Sequence, residues 1–365
     1  MSTIKNWSPK NNKYLYMKRN FSILKQTLLL ILFCIGSNTV SAQQTFTNPI
    51  LEYGADPYST YHNGYYYYTH TLQNQIVIWK TKNLADLKNA ERKTIWTAPI
   101  NTEYSAEVWA PEFHFIKDKW YVYFAADNGA NNTHRMYVLE NSSKNPMEGE
   151  WVFKGKIAAL TDKWAIDGNV FTYKKQLYMI WSGWKGDTNG QQNIYIAKMK
   201  TPTQIDGDRV LISSPTNSWE LYGALHDEEN PAQVNVNEGP QFLSHKNKVF
   251  IVFSASGCWT DNYSLGLLTF TGKDNLLDPS AWVKSDKPIL EQSDKTKVYA
   301  PGHNSFFKSP DEKEDWILYH ANSNPGEGCG VKRSPRMQQI KWDKNGNPVI
   351  GDPMSEGVLV AIPTM

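Results

Sequence analysis

From residue 46 onward the apolar positions fall into short runs divided by polar turns, and one order of these runs repeats along the chain. A short strand that opens on a polar residue leads through a polar turn into a second strand that is apolar almost throughout. The copies are residues 56–69, 111–126, 167–181, 238–254 and 302–320. Their turns suit hairpins: Asn63-Gly64 is a strong two-residue signal, and Lys117-Asp118-Lys119, Lys174-Lys175, His245-Lys246-Asn247 and 309–314 keep the polarity. Third strands are predicted at 76–80, 136–139, 194–197, 265–270 and 337–342, and fourth strands at 93–96, 151–157, 210–212, 282–284 and 358–362. Most of the fourth strands end near proline, which suits an outer edge where a missing N–H breaks no ladder. Five four-stranded units spaced about 55 to 70 residues apart predict an all-β, five-bladed β-propeller of antiparallel strands, forming one domain over residues 43–365. A two-sheet sandwich followed by a second domain is the rival reading, and the fivefold repetition counts against it.

The first 42 residues obey a different pattern. Lys18, Arg19 and Lys25 precede an apolar run over 28–35, and Val40-Ser41-Ala42 offers a small-residue cleavage site. Residues 1–42 are therefore expected to be a signal peptide region, with Met17 as an alternative start, and the protein is expected to be secreted or periplasmic. The apolar run is too short for a comfortable bilayer crossing, so no membrane span is expected in the mature chain. This head also distorts the charge, because it holds six Lys/Arg and no acid. The formal +2 of the whole chain hides a body with 32 basic against 36 acidic residues, a poor partner for nucleic acid.

With 40% apolar residues the chain can bury a large core, and 14 Trp and 20 Tyr supply flat rings of the kind sugar-binding surfaces use. Cys258 and Cys329 are the thiols left after the head is removed, each just past a strand-like run. An oxidising compartment permits a disulfide between them, two unpaired small residues being the other reading, and neither has zinc-site spacing.

In a propeller the first strand of every blade lines the central channel, so the polar residues that open those strands converge at one mouth. Here they include Asp56, Asp167, Glu238 and His303, with Glu107-Val108-Trp109-Ala110-Pro111-Glu112 at the corresponding place in the second unit. Three acids 111 and 71 positions apart are thereby expected together, at the same phase of three units. Like charges crowded into one pocket cannot all ionise, so one proton is retained near neutral pH. A retained proton is a general acid. Glycosidic hydrolysis needs such an acid on the leaving oxygen and a carboxylate that activates water on the opposite face of the sugar.

Gly54-Ala55-Asp56-Pro57, Trp109-Ala110-Pro111-Glu112, Ile166-Asp167-Gly168 and Glu238-Gly239-Pro240, in this order, resemble the motifs of glycoside hydrolase family 43, and the likeness runs over residues 46–365. The resemblance implies a five-bladed propeller and an inverting mechanism, in which Asp56 matches the general base, Glu238 the general acid, and Asp167 the acid that orients the proton donor and raises its pKa. An inverting pair would leave roughly 6.5–9.5 Å between its carboxyls. Arg333 resembles the family's arginine that hydrogen-bonds sugar hydroxyls, with Arg336 as the competing candidate. His303 stands where family members often carry a histidine near a channel ion, commonly calcium. It is the metal candidate on that ground, although one imidazole is a poor anchor for an oxygen-seeking ion. No cofactor is expected for the chemistry itself. Trp109, Trp184 and Trp259 are candidates to stack on a sugar, Trp109 first because it directly precedes a pocket-facing strand.

The expected activity is removal of terminal α-L-arabinofuranosyl units from plant polysaccharide or oligosaccharide. β-Xylosidase and galactofuranosidase or galactanase activities are the alternatives on the same fold. Retaining fructan hydrolases carry an Arg-Asp-Pro motif that is missing here. A propeller that only binds glycans would explain the aromatic residues without requiring three acids in phase.

Overall fold

The computed structural model describes residues 44–188, 190–223 and 234–364; the expected signal region, 1–42, lies outside the described residues. Strand β1 (Thr45–Phe46) precedes five four-stranded meanders. The first blade is β2 (Tyr58–His62), β3 (Tyr65–Thr69), β4 (Gln75–Thr81) and β5 (Glu91–Thr97). The second is β6 (Ala106–Ile116), β7 (Lys119–Asp127), β8 (Arg135–Asn141) and β9 (Val152–Ile157), and the third is β10 (Ala165–Tyr173), β11 (Gln176–Trp184), β12 (Gln192–Thr201) and β13 (Gln204–Ser213). The fourth is β14 (Asn237–His245), β15 (Lys248–Ala255), β16 (Ser264–Phe270) and β17 (Trp282–Lys284). The fifth is β18 (Tyr299–Lys308), β19 (Asp315–Asn322), β20 (Ser334–Trp342) and β21 (Pro348–Val349), after which comes β22 (Val360–Ala361). Each sheet pairs its strands in sequence order, all antiparallel, and the first strands touch one another in a closed circuit from β2 through β6, β10, β14 and β18 back to β2. This is the five-bladed propeller expected from the repeat.

Five apolar cores hold the ring, one between each pair of neighbouring blades. A strand sandwiched between two such cores is buried on both faces and needs no polar positions, which explains the apolar second strands. In β3 the alternation is explicit: Tyr66 and Tyr68 pack toward the fifth blade, while Tyr67 packs toward the second. Each such buried ring contributes about 1.5–3 kcal/mol relative to exposure.

The outermost strand of the fifth blade departs from the expected 358–362. The chain turns back at once through Asp343, whose side chain accepts from the backbone N–H of Asn345 and Asn347, and Pro348–Val349 becomes the fourth strand. Val360–Ala361 instead pairs with Thr45–Phe46. The segment after β1 continues along the fifth blade, where Asn48 exchanges two hydrogen bonds with the Met337 backbone and Gly54 N–H donates to Arg333 O at 2.9 Å. The entering chain is thereby fastened to the last blade, and this brings Asp56 to Arg333. Among the described residues no helix is long and apolar enough to cross a membrane.

Candidate active site

Each first strand reaches the channel mouth through a residue with left-handed backbone: Asp56 (φ 56°), Ala110 (44°), Asp167 (58°), Gly239 (53°) and His303 (46°). In blades two to five the pairing with the second strand skips at these positions, a bulge that re-aims the side chains. Aspartate tolerates this conformation better than most residues, which suits Asp56 and Asp167 to it. The fourth blade differs. Gly239 takes the left-handed position, and Glu238 stands one residue earlier, paired across to Ser254 as Ile166 is to Ser182 and Trp109 to Ala125. The expected single phase is therefore corrected: Asp56 and Asp167 share one level, and Glu238 occupies the adjacent one. The offset has a use, because Gly239 N–H is left to donate to Asp167 Oδ2 at 3.0 Å.

Asp56, Asp167, Glu238, His303, Arg333 and Trp109 all line one cavity of about 430 Å³. Asp56 is the most heavily partnered. Its Oδ1 lies 3.1 Å from Arg333 Nη1 and 3.3 Å from His303 Nδ1, and its Oδ2 accepts from Thr71 Oγ1 at 2.6 Å. Its backbone N–H donates to His320 Nδ1 at 3.0 Å, which requires that nitrogen to be unprotonated. Thr71 in turn accepts from Ala110 N–H at 2.8 Å, so the second blade braces the first. Tyr263 Oη donates to Glu238 Oε1 at 2.8 Å, and its ring lies parallel to His320 at 5.7 Å. The ring fits because Gly302 faces it: a β-carbon at 302 would stand 2.0 Å from Tyr263 Cε1. The buried Glu112 accepts from Asn169 Nδ2 at 2.8 Å and from Gln241 Nε2, which ties the first strands of blades two, three and four together.

These surroundings split the acids. Burial pushes the Asp56 carboxyl up, but His303, Arg333 and the Thr71 hydroxyl outweigh it and hold the group well below the usual carboxylate range. Glu238 is pushed up to about 7, first by burial and then by the charge of Asp167, against the opposing pull of His303 and the Tyr263 hydroxyl. Asp167 is itself raised to about 6, chiefly by burial. Burial lowers His303, yet Asp56, Asp167 and Glu238 together raise it above its ordinary value. His320, buried beside Arg333, is held well below its ordinary value and stays neutral.

Of the two arginines expected from sequence, Arg333 reaches the cavity. Arg336 is fully buried and bonded to Ser323, Ser334 and, at 2.6 Å, Glu356. Trp109 and Trp259 line the cavity, and Trp109 rests on His134 at 4.1 Å with its indole N–H on Glu107. Trp184 does not reach it; it lies behind Trp164, stacked at 4.6 Å, and Trp164 forms the wall. Thr71, Trp164, Gln192 and Tyr263 were not foreseen. They come from strand ends and loops where no motif marks them, although Thr71 lies two residues past the apolar β3. Cys258 and Cys329 form a disulfide at the cavity wall, which settles the open question about the two thiols.

Calcium takes oxygen ligands, and the His303 imidazole offers it none, its Nδ1 lying 3.3 Å from Asp56. Among the described residues no group of three or more His, Cys, Asp or Glu side chains is arranged to hold an ion.

The sequence model described as "Glycosyl hydrolases family 43" matches residues 46–348. An "Extracellular exo-alpha-(1->5)-L-arabinofuranosidase" from Streptomyces avermitilis is 38% identical over 327 residues, covering 87% of this chain and 66% of that protein. A protein of the same name from Streptomyces chartreusis is 34% identical over 281 residues, 76% of this chain and 82% of that one. The crystal structure of an alpha-L-arabinofuranosidase from Lactobacillus brevis is 34% identical, with a TM-score of 0.78 over 86% of this chain and 98% of that one. The chain thus spans just under two thirds of the Streptomyces avermitilis relative.

Proposed function

The chain belongs to glycoside hydrolase family 43, and on that premise we propose that it is an exported, inverting α-L-arabinofuranosidase that removes terminal arabinofuranosyl units from plant polysaccharide or oligosaccharide. The observation that carries the reading is that one cavity holds two carboxyls in opposite surroundings: Asp56 against Arg333, His303 and the Thr71 hydroxyl, which favour its ionised form, and Glu238 buried near the charge of Asp167, which favours its protonated form. Glycosidic hydrolysis requires that division, and the inverting course is taken from the family.

In this mechanism Asp56 takes a proton from water as the oxygen attacks the anomeric carbon. Glu238 gives its proton to the departing oxygen on the other face, and no covalent intermediate forms. Arg333 and Thr71 keep the base ionised and aimed, and Arg333 offers further donors to sugar hydroxyls. Asp167 does not touch the reacting atoms in this scheme. It is a positioning residue that holds the proton on Glu238 by its charge and fixes the Glu238–Gly239 backbone by accepting from Gly239. Trp109 provides an apolar wall for the sugar face. The names of the Streptomyces relatives support both the arabinofuranosyl substrate and export.

The test is a panel of chromogenic α-L-arabinofuranoside, β-D-xyloside and β-D-galactofuranoside, with NMR detection of the first-formed anomer. Preferred cleavage of the arabinofuranoside with inverted configuration is expected. Retention would overturn the water-activating role of Asp56, and preference for another sugar would overturn the substrate. N-terminal sequencing of protein from the culture supernatant or periplasm checks export.

A further inference from the structure

The cavity wall contains two sulfurs, and each belongs to a loop that serves one side of the reaction. Cys258 lies in the loop joining β15 to β16, which also carries Tyr263, the donor to Glu238. Cys329 lies in the loop joining β19 to β20, which carries Arg333, the partner of Asp56. The two loops differ in how they are held. The Tyr263 loop is rigid, its tyrosine fully buried, parallel to His320 and seated over Gly302. The Arg333 loop contains Gly326, Gly328 and Gly330, two of them at positive φ (75° and 61°), so its backbone has little conformational restraint of its own. Its start is fastened by Glu327, which accepts from the backbone N–H of Ser323 and Asn324 and from Asn324 Nδ2, by Asn322 Nδ2 donating to Gly328 O and by Arg336 donating to Ser323, and its end by Gly54 N–H donating to Arg333 O, which leaves the stretch around Cys329 between them. Ties that cross from the rigid loop to the glycine-rich one include a hydrogen bond and the disulfide. Asp261 accepts from Gly326 N–H at 2.8 Å, and the disulfide joins residues 71 positions apart. The bridge meets the chain one residue before Gly330, whose carbonyl accepts from Arg333 Nε at 3.3 Å.

We propose that the Cys258–Cys329 disulfide is a positioning device for the active site, holding Arg333 against Asp56 by fastening the glycine-rich loop of the fifth blade to the rigid Tyr263 loop of the fourth. The proposal rests on the reading of Asp56 as the base. A bond placed elsewhere in the ring would stabilise by closing a loop in the unfolded chain; this one also fixes a guanidinium whose displacement by an ångström would cost about a hundredfold in rate.

The test is a double-mutant cycle on the full chain. Cys258→Ser/Cys329→Ser is compared with wild type, and the same pair of changes is compared in an Arg333→Ala background, at temperatures where circular dichroism shows all four proteins folded. Removing the bridge is expected to lower kcat/KM about tenfold or more in the first background and less than about twofold in the second, because the contact it serves is already gone. A staple that only stabilises the fold would lower the melting temperature in both backgrounds and leave the rate of folded protein unchanged. That result overturns the proposal, as does an equal rate loss in both backgrounds. Should the serine variant not fold, the folded parent and Arg333→Ala proteins are treated with dithiothreitol until thiol counting shows reduction. Each S–S bond takes two electrons and two protons from the dithiol, giving two thiols and the cyclic disulfide of the reagent, and the same two comparisons decide the matter. A wild type without activity on the arabinofuranoside would instead sink the functional reading, so the two failures are distinguishable.

Discussion

Replacing Glu238 by Gln keeps the size of the side chain and an oxygen for the Tyr263 hydroxyl, which bonds Glu238 at 2.8 Å, but removes the proton given to the leaving group. A positioned proton donor contributes about 10²–10⁴-fold, or about 3–5 kcal/mol of barrier. The full loss is expected only when the leaving group is a sugar oxygen, which cannot depart as an alkoxide. A nitrophenolate departs without help, so kcat/KM for a nitrophenyl arabinofuranoside is expected to fall by less than about tenfold while that for an arabino-oligosaccharide falls a hundredfold or more. Asp56→Asn should lose both substrates alike, because water must be activated whatever departs. The pH dependence gives a second readout. Glu238 works protonated and its pKa is pushed up to about 7, so wild-type turnover of the oligosaccharide should decline as pH rises through that value. The variant's residual turnover of the aryl substrate should lack this decline. Equal losses on the two substrates, with the basic limb intact, would refute the assignment of the proton donor.

Asp167→Asn removes the charge that helps raise Glu238, so the basic limb of the rate profile should move to lower pH, read from kcat/KM between pH 5 and 8. The same variant should be more stable at neutral pH. Asp167 is raised to about 6 in the folded protein, so its ionisation as pH rises from the unfolded value through 6 costs the wild type on the order of 2–3 kcal/mol, and the gain in melting temperature should shrink on acidification. Tyr263→Phe removes a hydrogen bond that favours ionised Glu238, so the basic limb should shift upward, and a downward shift would contradict the contact. Glu356→Ala leaves the buried Arg336 guanidinium with hydroxyl partners, Ser323 and Ser334. It should cost about 2 kcal/mol in urea unfolding with kcat unchanged, less than the 3–5 kcal/mol of a fully buried pair because Glu356 is partly hydrated.

The features legible from the residue order alone were those written in burial and turn chemistry. Strands such as β15, walled on both sides by neighbouring blades, are apolar along their middle, here from Val249 to Phe253, and Asn63-Gly64 announces the turn between β2 and β3. The acids were legible because they open units whose period can be counted. What escaped depends on which backbone groups pair. A bulge adds a residue to one strand without altering its composition, so nothing in Glu238-Gly239-Pro240 shows that Glu238 sits one level off Asp56 and Asp167. The apolar run at 358–362 looked like a fourth strand of the fifth blade, yet the same apolarity serves equally against Phe46, and only the tight turn at Asp343 decides between them. Arg333 and Arg336 are chemically identical and three residues apart. Strand β20 begins at Ser334, so Arg333 stands before the ladder, at the mouth where Asp56 enters, while Arg336 is carried inside it. The catalytic reading therefore depends on register as much as on residue type: starting β20 one residue earlier would draw Arg333 into the ladder and leave Asp56 without one of the charges that keep it ionised.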